Sequence, residues 1–342
     1  MRTAGINYDT GFVLGENSRP DFDAAAVERE MHVIADDLHC NAVRVSGSDP
    51  ARLEVAARAA VRAGLQVWVS PFATDLQAAA MVEIARDCAA LAEQVRRDGG
   101  DVVLLVGCEI SLFGAGLIPG ATLPDRITAL MSGAVDPVAV GAVTQQCLAE
   151  MLQAVRPAFD GPVSYSSGIW EWESMDWAPF DLVGINAYRD EGNAGYYEHQ
   201  LRRELRHGKP VVVTEFGCCT YRGAGERGGL GWLVGDPTAD PPLDGTLRRD
   251  ESEQVDYFMR SVEAFDRAGI DGGFWFTFGQ YSTRQRDDDP CRDTDLVSYG
   301  AVAMLTDDAV RDPRYPDMTW RPKLVFDTIA RTYGPLRSTG PR

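Results

Sequence analysis

Two glutamates, Glu109 and Glu215, each follow directly on a strongly apolar run, Val102–Gly107 and Pro210–Thr214. A carboxylate in that place stands at the rim of a low-dielectric core. Two carboxylates facing each other across a mouth are what glycoside hydrolysis needs. One protonates the leaving oxygen and the other attacks or activates water; about 5–5.5 Å between them implies retention, about 6.5–9.5 Å inversion. One carboxyl must be kept protonated and the other ionised, which burial plus an Arg or Tyr neighbour arranges. Arg44 and Tyr188 are the candidate neighbours of the anionic member. A glutamate ending a strand also serves as a helix cap or an arginine partner, so neither residue decides the matter alone.

Other residues at the ends of apolar runs add to the pair. Asp9, Phe72, Cys108, Trp170, Asn186, Tyr188 and Trp275 all lie on or just after such runs, as does Trp172. Flat aromatic faces stack on sugar rings, while Tyr and Trp keep a polar handle. Trp68 reads as core filling. Cys218-Cys219 reads as a pair of small buried residues, because adjacent cysteines rarely bridge. Asp287-Asp288-Asp289 with Asp293 and Asp295 lacks EF-hand spacing and reads as a solvated loop. His32, His39, His199 and His207 fall on helices or helix ends, which weakens metallohydrolase and Ser-His-Asp readings. Neither a metal nor a cofactor is expected.

The elements that must position these residues alternate along the chain. Apolar runs at Ala4–Tyr8, Asn41–Val45, Leu65–Ser70, Val102–Gly107, Pro162–Ser166, Leu182–Ala187, Pro210–Thr214 and Gly272–Phe278 read as strands. Amphipathic stretches such as Ala24–Leu38, Ala51–Ala63, Leu76–Val95 and Pro137–Val155 have helical period. Strand–helix alternation implies parallel strands with crossover helices. Eight such units suit a single (β/α)₈ barrel spanning residues 1–342, whose active site forms beyond the C-terminal ends of the strands. A doubly wound dinucleotide fold would need GxGxxG after the first strand; the chain has Asn7-Tyr8-Asp9-Thr10-Gly11-Phe12. Long loops after strands 4, 7 and 8 (Ser111–Asp136, Gly217–Leu247, Gln280–Arg321) exceed ordinary connections and read as functional.

Composition bounds the partners. The 342 residues carry 33 Lys+Arg against 51 Asp+Glu, a formal charge of −18, which disfavours nucleic acid and anionic membrane surfaces. No apolar run reaches the length of a membrane span, and no segment reads as a secretory leader. The seven cysteines are scattered with no CxxC, which fits reduced thiols in a bacterial cytoplasm.

These residues together resemble the retaining clan A of glycoside hydrolases. Glu109 matches the clan's acid/base at the end of strand four. Glu215, in Val-Thr-Glu-Phe-Gly, matches its nucleophile at the end of strand seven. Asn41-Ala-Val-Arg44 resembles the strand-two arginine, and Asp181–Tyr188 the strand-six motif whose tyrosine contacts the nucleophile. Trp275 resembles the strand-eight tryptophan beneath the sugar. One position departs: the clan's Asn before the acid/base, which bonds the sugar 2-hydroxyl, is Cys108 here, and a thiol is a weak donor and acceptor. Glu215–Gly223 also resembles actinobacterial chains labelled abortive infection proteins, a label that names no chemistry. The resemblance implies a retaining glycosidase, or a transglycosylating relative, acting on a small glycoside. Two alternatives stay open: a catalytically silent barrel binding a sugar or partner, and non-hydrolytic acid/base chemistry on a natural product.

Overall fold

The computed structural model describes residues 1–14, 16–236, 238–306 and 309–339. Eight parallel strands form the barrel: β1 (Thr3–Gly11), β2 (Ala42–Gly47), β3 (Gln66–Pro71), β4 (Val102–Cys108), β5 (Val163–Ser166), β6 (Val183–Asn186), β7 (Val211–Phe216) and β8 (Gly272–Trp275). The ladder runs β5-β4-β3-β2-β1-β8-β7-β6. It closes where Ser167 bridges Ile185, with Asn186 N donating to Ser167 O at 2.8 Å. The fold is therefore a (β/α)₈ barrel. Helices α1 (Ala24–His32), α2 (Pro50–Arg62), α3 (Ala78–Arg97), α4 (Pro137–Val155), α5 (Tyr197–Arg203), α6 (Ser252–Ala268) and α7 (Leu324–Thr339) surround it. Side-chain oxygens of Asp23, Asp49 and Asp136 accept from the first-turn amides of α1, α2 and α4, satisfying donors the helix leaves orphaned. Among the described residues no helix is long and apolar enough to cross a membrane.

The barrel holds two kinds of core. One lies between strands and helices. The other fills the interior: Ala42, Trp68, Val103, Leu105, Leu182, Val212 and Phe274. Trp68 and Phe274 meet edge to face at 4.9 Å. Gly5 is needed opposite them, because a Cβ there would lie 2.3 Å from Phe274 Cδ1. This plug fills the barrel interior below the C-terminal mouth.

Two bulges re-aim the strand ends. On β7, Ile185 pairs with Val213 but Asn186 pairs with Glu215; on the other side Gly273 pairs with Val213 but Trp275 with Phe216. One extra residue, Thr214, is thus inserted. On β4, Leu105 pairs with Ser164 but Cys108 with Ser166. Bulges of this kind bend the strand and turn a side chain to the other face. Here they turn Glu215 and Cys108 into the barrel and send Phe216 out against Phe258 and Phe265.

The long loops are built structure. Arg126, buried in the loop after β4, donates to Leu112 O at 2.6 Å and to Asp75 after β3 at 2.5 Å. The loop after β8 is tied to the loop after β7 by a buried ion cluster. Arg249 holds Asp293 and Asp295 at 2.7 Å, and Lys323 holds Asp295 at 2.9 Å and Thr220 at 2.8 Å. Asp293 and Asp295 are therefore buried partners of cations, a correction to the solvated acidic loop read from the sequence, and they are not open to a metal ion.

Candidate active site

Glu215 comes off the β7 bulge with its carboxyl inside the mouth, 7% exposed. Three side chains reach it. Arg44 Nη1 lies 2.5 Å from Oε1, the Cys108 thiol donates to the same oxygen at 3.3 Å, and Tyr188 OH donates to Oε2 at 2.9 Å. Arg44 is itself aimed. Its Nη1 also donates to Asn7 Oδ1 at 3.0 Å and its Nε to Ser70 Oγ at 3.1 Å. Asn7 in turn donates to Thr214 O at 3.0 Å. Burial works against the Arg44 charge, but the Glu215 carboxylate beside it holds its pKa above the ordinary value. Strands β1, β2, β3 and β7 thus converge on one carboxylate.

Glu109 follows β4 in the left-handed conformation, φ 45°, just before a short helix, Ile110–Phe113. Non-glycine residues rarely take that conformation, which His39 and Asp75 share in this chain. Asn186 Nδ2 donates to Glu109 Oε1 at 2.8 Å. The orientation of that amide follows from its partners: Ser166 and Thr214 hydroxyls both donate to Asn186 Oδ1 at 2.8 Å. Among the described residues no cation lies within ion-pair distance of Glu109. Burial first, and the Glu215 charge second, push its pKa well above the usual carboxylate range.

A continuous path joins the two glutamates. It runs from Glu109 Oε1 to Asn186 Nδ2 (2.8 Å), on to Cys108 Sγ (3.5 Å) and on to Glu215 Oε1 (3.3 Å). Its length sets an upper bound of about 10 Å on their separation, a ceiling that includes both the retaining and the inverting spacings. Cys108 therefore lies between the carboxylates. Burial raises its pKa well above that of a free thiol, so it serves as a neutral donor.

The site residues read from the sequence divide into three groups. Glu109, Glu215, Arg44, Cys108, Asn186 and Tyr188 form this one cluster. Asp9, Phe72 and Trp170 lie at or beyond the ends of β1, β3 and β5, and among the described residues none of them shares a hydrogen bond or ring pair with the six. Asp9 accepts from Gly11 N at 2.7 Å, and burial pushes its pKa up to about 6. Phe72 packs between Phe12 and Phe113 at 4.9 and 4.7 Å, an aromatic wall from three different loops. Trp170 Nε1 donates to Ser111 Oγ at 3.0 Å.

Trp275 is a correction. It is wholly buried on the helix side of β8, ringed by Phe216, Tyr257 and Phe258, and does not lie beneath the mouth. The half-buried aromatic at that strand end is Phe276, one residue on, stacked edge-on with Tyr299 at 5.7 Å. Tyr299 meets Tyr188 at 6.1 Å. Trp172 is likewise buried, its indole nitrogen on Ser167 O. Asn7, Ser166, Thr214, Phe276 and Tyr299 were not singled out from the sequence. For Asn7 the signal was available: it shares the inward face with Gly5.

No protein-family model and no curated protein sequence matches the chain. Solved structures do. The GH113 β-mannanase AaManA from Alicyclobacillus acidocaldarius, in complex with ManMIm, has a TM-score of 0.59 at 16% identity, covering 98% of this chain and 97% of that one. A β-glucosidase, 1317, gives 0.57 at 13%, covering 100% and 99%. The Bacteroides uniformis β-glucuronidase gives 0.60 at 12%, covering 97% of this chain and 35% of its own. The resemblance of Glu215–Gly223 to chains labelled abortive infection proteins finds no counterpart in these matches. At such identities the likeness is one of fold: the chain is a (β/α)₈ barrel of the kind these glycoside hydrolases have.

Proposed function

We propose that the chain is a retaining glycoside hydrolase, or a transglycosylating relative, acting on a small glycoside. The observation that carries this is the unequal treatment of two neighbouring carboxyls. Glu215 has a guanidinium at 2.5 Å and two further donors; Glu109 has one neutral amide and a raised pKa. Pairs of carboxyls pushed apart in this way divide into an acid and an anion.

In this reading the Glu215 carboxylate attacks the anomeric carbon. Arg44 and Tyr188 fix its direction and balance its charge before attack. Glu109 gives its proton to the leaving oxygen as the bond breaks, then takes one from the incoming water or acceptor alcohol. Asn186 holds Glu109 through one oxygen, leaving Oε2 for the substrate. The glycosidase fold of the neighbours supports the same assignment, with a sugar as substrate class.

Cys108 narrows the sugar. Its thiol is spent on Glu215, and the nearby Asn186 amide is spent on Glu109 and Cys108, so neither is free for a 2-hydroxyl. That arrangement favours a 2-deoxy or 2-modified sugar, or a glycosylated small metabolite. The free thiols fit a reducing cytoplasm.

The test is a panel of nitrophenyl glycosides, 2-deoxy sugars included, offered to the wild type and to Glu215→Gln. Turnover by the wild type alone supports the proposal. Equal turnover by both, or none across the panel, sinks it and moves weight to a silent binding barrel.

A further inference from the structure

A third carboxylate, Glu171 in the loop after β5, is 3% exposed and receives only neutral donors. Ser111 Oγ donates to its Oε1, as does Ser111 N at 3.3 Å. Tyr165 OH donates at 2.9 Å, Ser167 Oγ at 3.2 Å and Gly168 N at 3.0 Å to its Oε2. The protons run one way. Trp170 Nε1 donates to Ser111 Oγ, whose own proton then goes to Glu171. Ile110 N donates at 2.8 Å to Tyr165 OH, whose proton also goes to Glu171. Every arrow ends on one carboxyl that accepts and gives nothing back; burial pushes its pKa up, and the converging donors from Ser111, Tyr165 and Gly168 oppose that rise by favouring the anion.

Ile110 and Ser111 are the two residues after Glu109. Their backbone N–H groups are the orphan donors of the short helix that begins there, and Glu109 before them is the residue in the left-handed region. We propose that Glu171 is a positioning residue for Glu109. It gathers both amides, one directly and one through Tyr165, and so holds the turn that aims the Glu109 carboxyl into the mouth. The inference rests on the two-glutamate reading of the site.

Its negative charge has a second effect on the same group. The charged and titratable groups facing Glu109 are Glu215 from β7, Glu171 from the loop after β5 and Arg44 from β2, with Cys108 on its own strand and Tyr188 after β6. Glu215 and Glu171 favour the protonated acid and Arg44 opposes it. Removing the Glu171 charge lowers the pKa of Glu109. The alkaline limb of kcat/KM, where the acid loses its proton, then moves to lower pH.

The experiment compares Glu171→Gln with wild type in two ways. The first needs no substrate: hydrogen exchange of the peptide spanning Ile110 and Ser111, measured by mass spectrometry. The second is kcat/KM against pH for alkyl and for dinitrophenyl glycosides. We expect faster exchange at both amides, a downward shift of the alkaline limb, and a loss of about tenfold or more on alkyl glycosides, with less than about twofold on dinitrophenyl ones. Tyr165→Phe guards against a misfolded variant: it should free Ile110 while leaving Ser111 protected. Wild-type exchange at both amides, or equal losses on both leaving-group classes, overturns the proposal. If no glycoside is turned over by any protein, the two-glutamate reading falls, and the exchange data alone still decide whether Glu171 holds the turn.

Discussion

The thiol of Cys108 lies 3.3 Å from Oε1 of Glu215, on the same oxygen that Arg44 holds. A neutral donor and a cation thus share one lone-pair region of the proposed nucleophile, and Tyr188 takes the other oxygen. A carboxylate held through both oxygens has little freedom to rotate.

Cys108→Asn tests the specificity reading. An amide there offers a donor and an acceptor at the 2-position. The ratio of kcat/KM on ordinary glycosides to that on 2-deoxy analogues should rise about tenfold, which corresponds to about 1.4 kcal/mol of selective transition-state binding. Paired kinetics on one sugar with and without its 2-hydroxyl measure this. An unchanged ratio would count against any role of Cys108 in sugar choice.

Glu109→Ala should retain turnover of glycosides whose leaving group needs no proton and lose about 10²-fold or more on alkyl glycosides. In the wild type the alkaline limb should lie above the ordinary carboxylate range, because burial and Glu215 favour the protonated form. Glu109→Gln should abolish that limb. A limb that persists in the variant would assign the titration to another group.

Asp9 makes stability depend on pH. Its pKa is raised from 3.8 to about 6, so between about pH 4 and 6 the folded chain binds more protons than the unfolded chain. The stabilisation is complete below pH 4 and lost as pH rises through about 6, a difference of about 3 kcal/mol at most. Asp9→Asn should flatten that part of the curve and raise stability at pH 8. Urea titrations at pH 5 and pH 8 show it, and parallel shifts of both proteins would refute it.

Lys323→Met should destabilise by about 3–5 kcal/mol, since Asp295 would stay buried with one of its two cations gone. Thermal melts of the two proteins give the comparison. A loss under about 1 kcal/mol would mean that the cluster relaxes or admits water.

Much of this was legible in the sequence, for physical reasons that differ by element. The strands are unbroken apolar runs because both of their faces are buried, and their alternation with amphipathic helices leaves few topologies. Asn186 ends β6 and Tyr188 follows it, as read; Arg44, read as ending its apolar run, lies inside β2. The failures come from backbone geometry. Strict alternation along β7 puts Glu215 with Val211 and Val213 in the helix layer and Phe216 in the mouth; the bulge at Thr214 reverses both. On β8 the same one-residue ambiguity chose Trp275 over Phe276, and a slip of one residue exchanges the two faces of a strand. Glu171 gave no signal because it lies in a loop between two tryptophans, and its partners come from β5 and from the turn after β4.

The bulge on β7 has a consequence for how steadily the two carboxyls keep their spacing. Thr214 and Glu215 are adjacent, yet both face the interior: one steers the amide that grips Glu109, the other is the second carboxyl itself. Thermal motion of that strand end therefore carries both together, as a single lever. One side of the gap across which a sugar would react is thus tied to that short piece of backbone, and the other to the turn after β4 that carries Glu109.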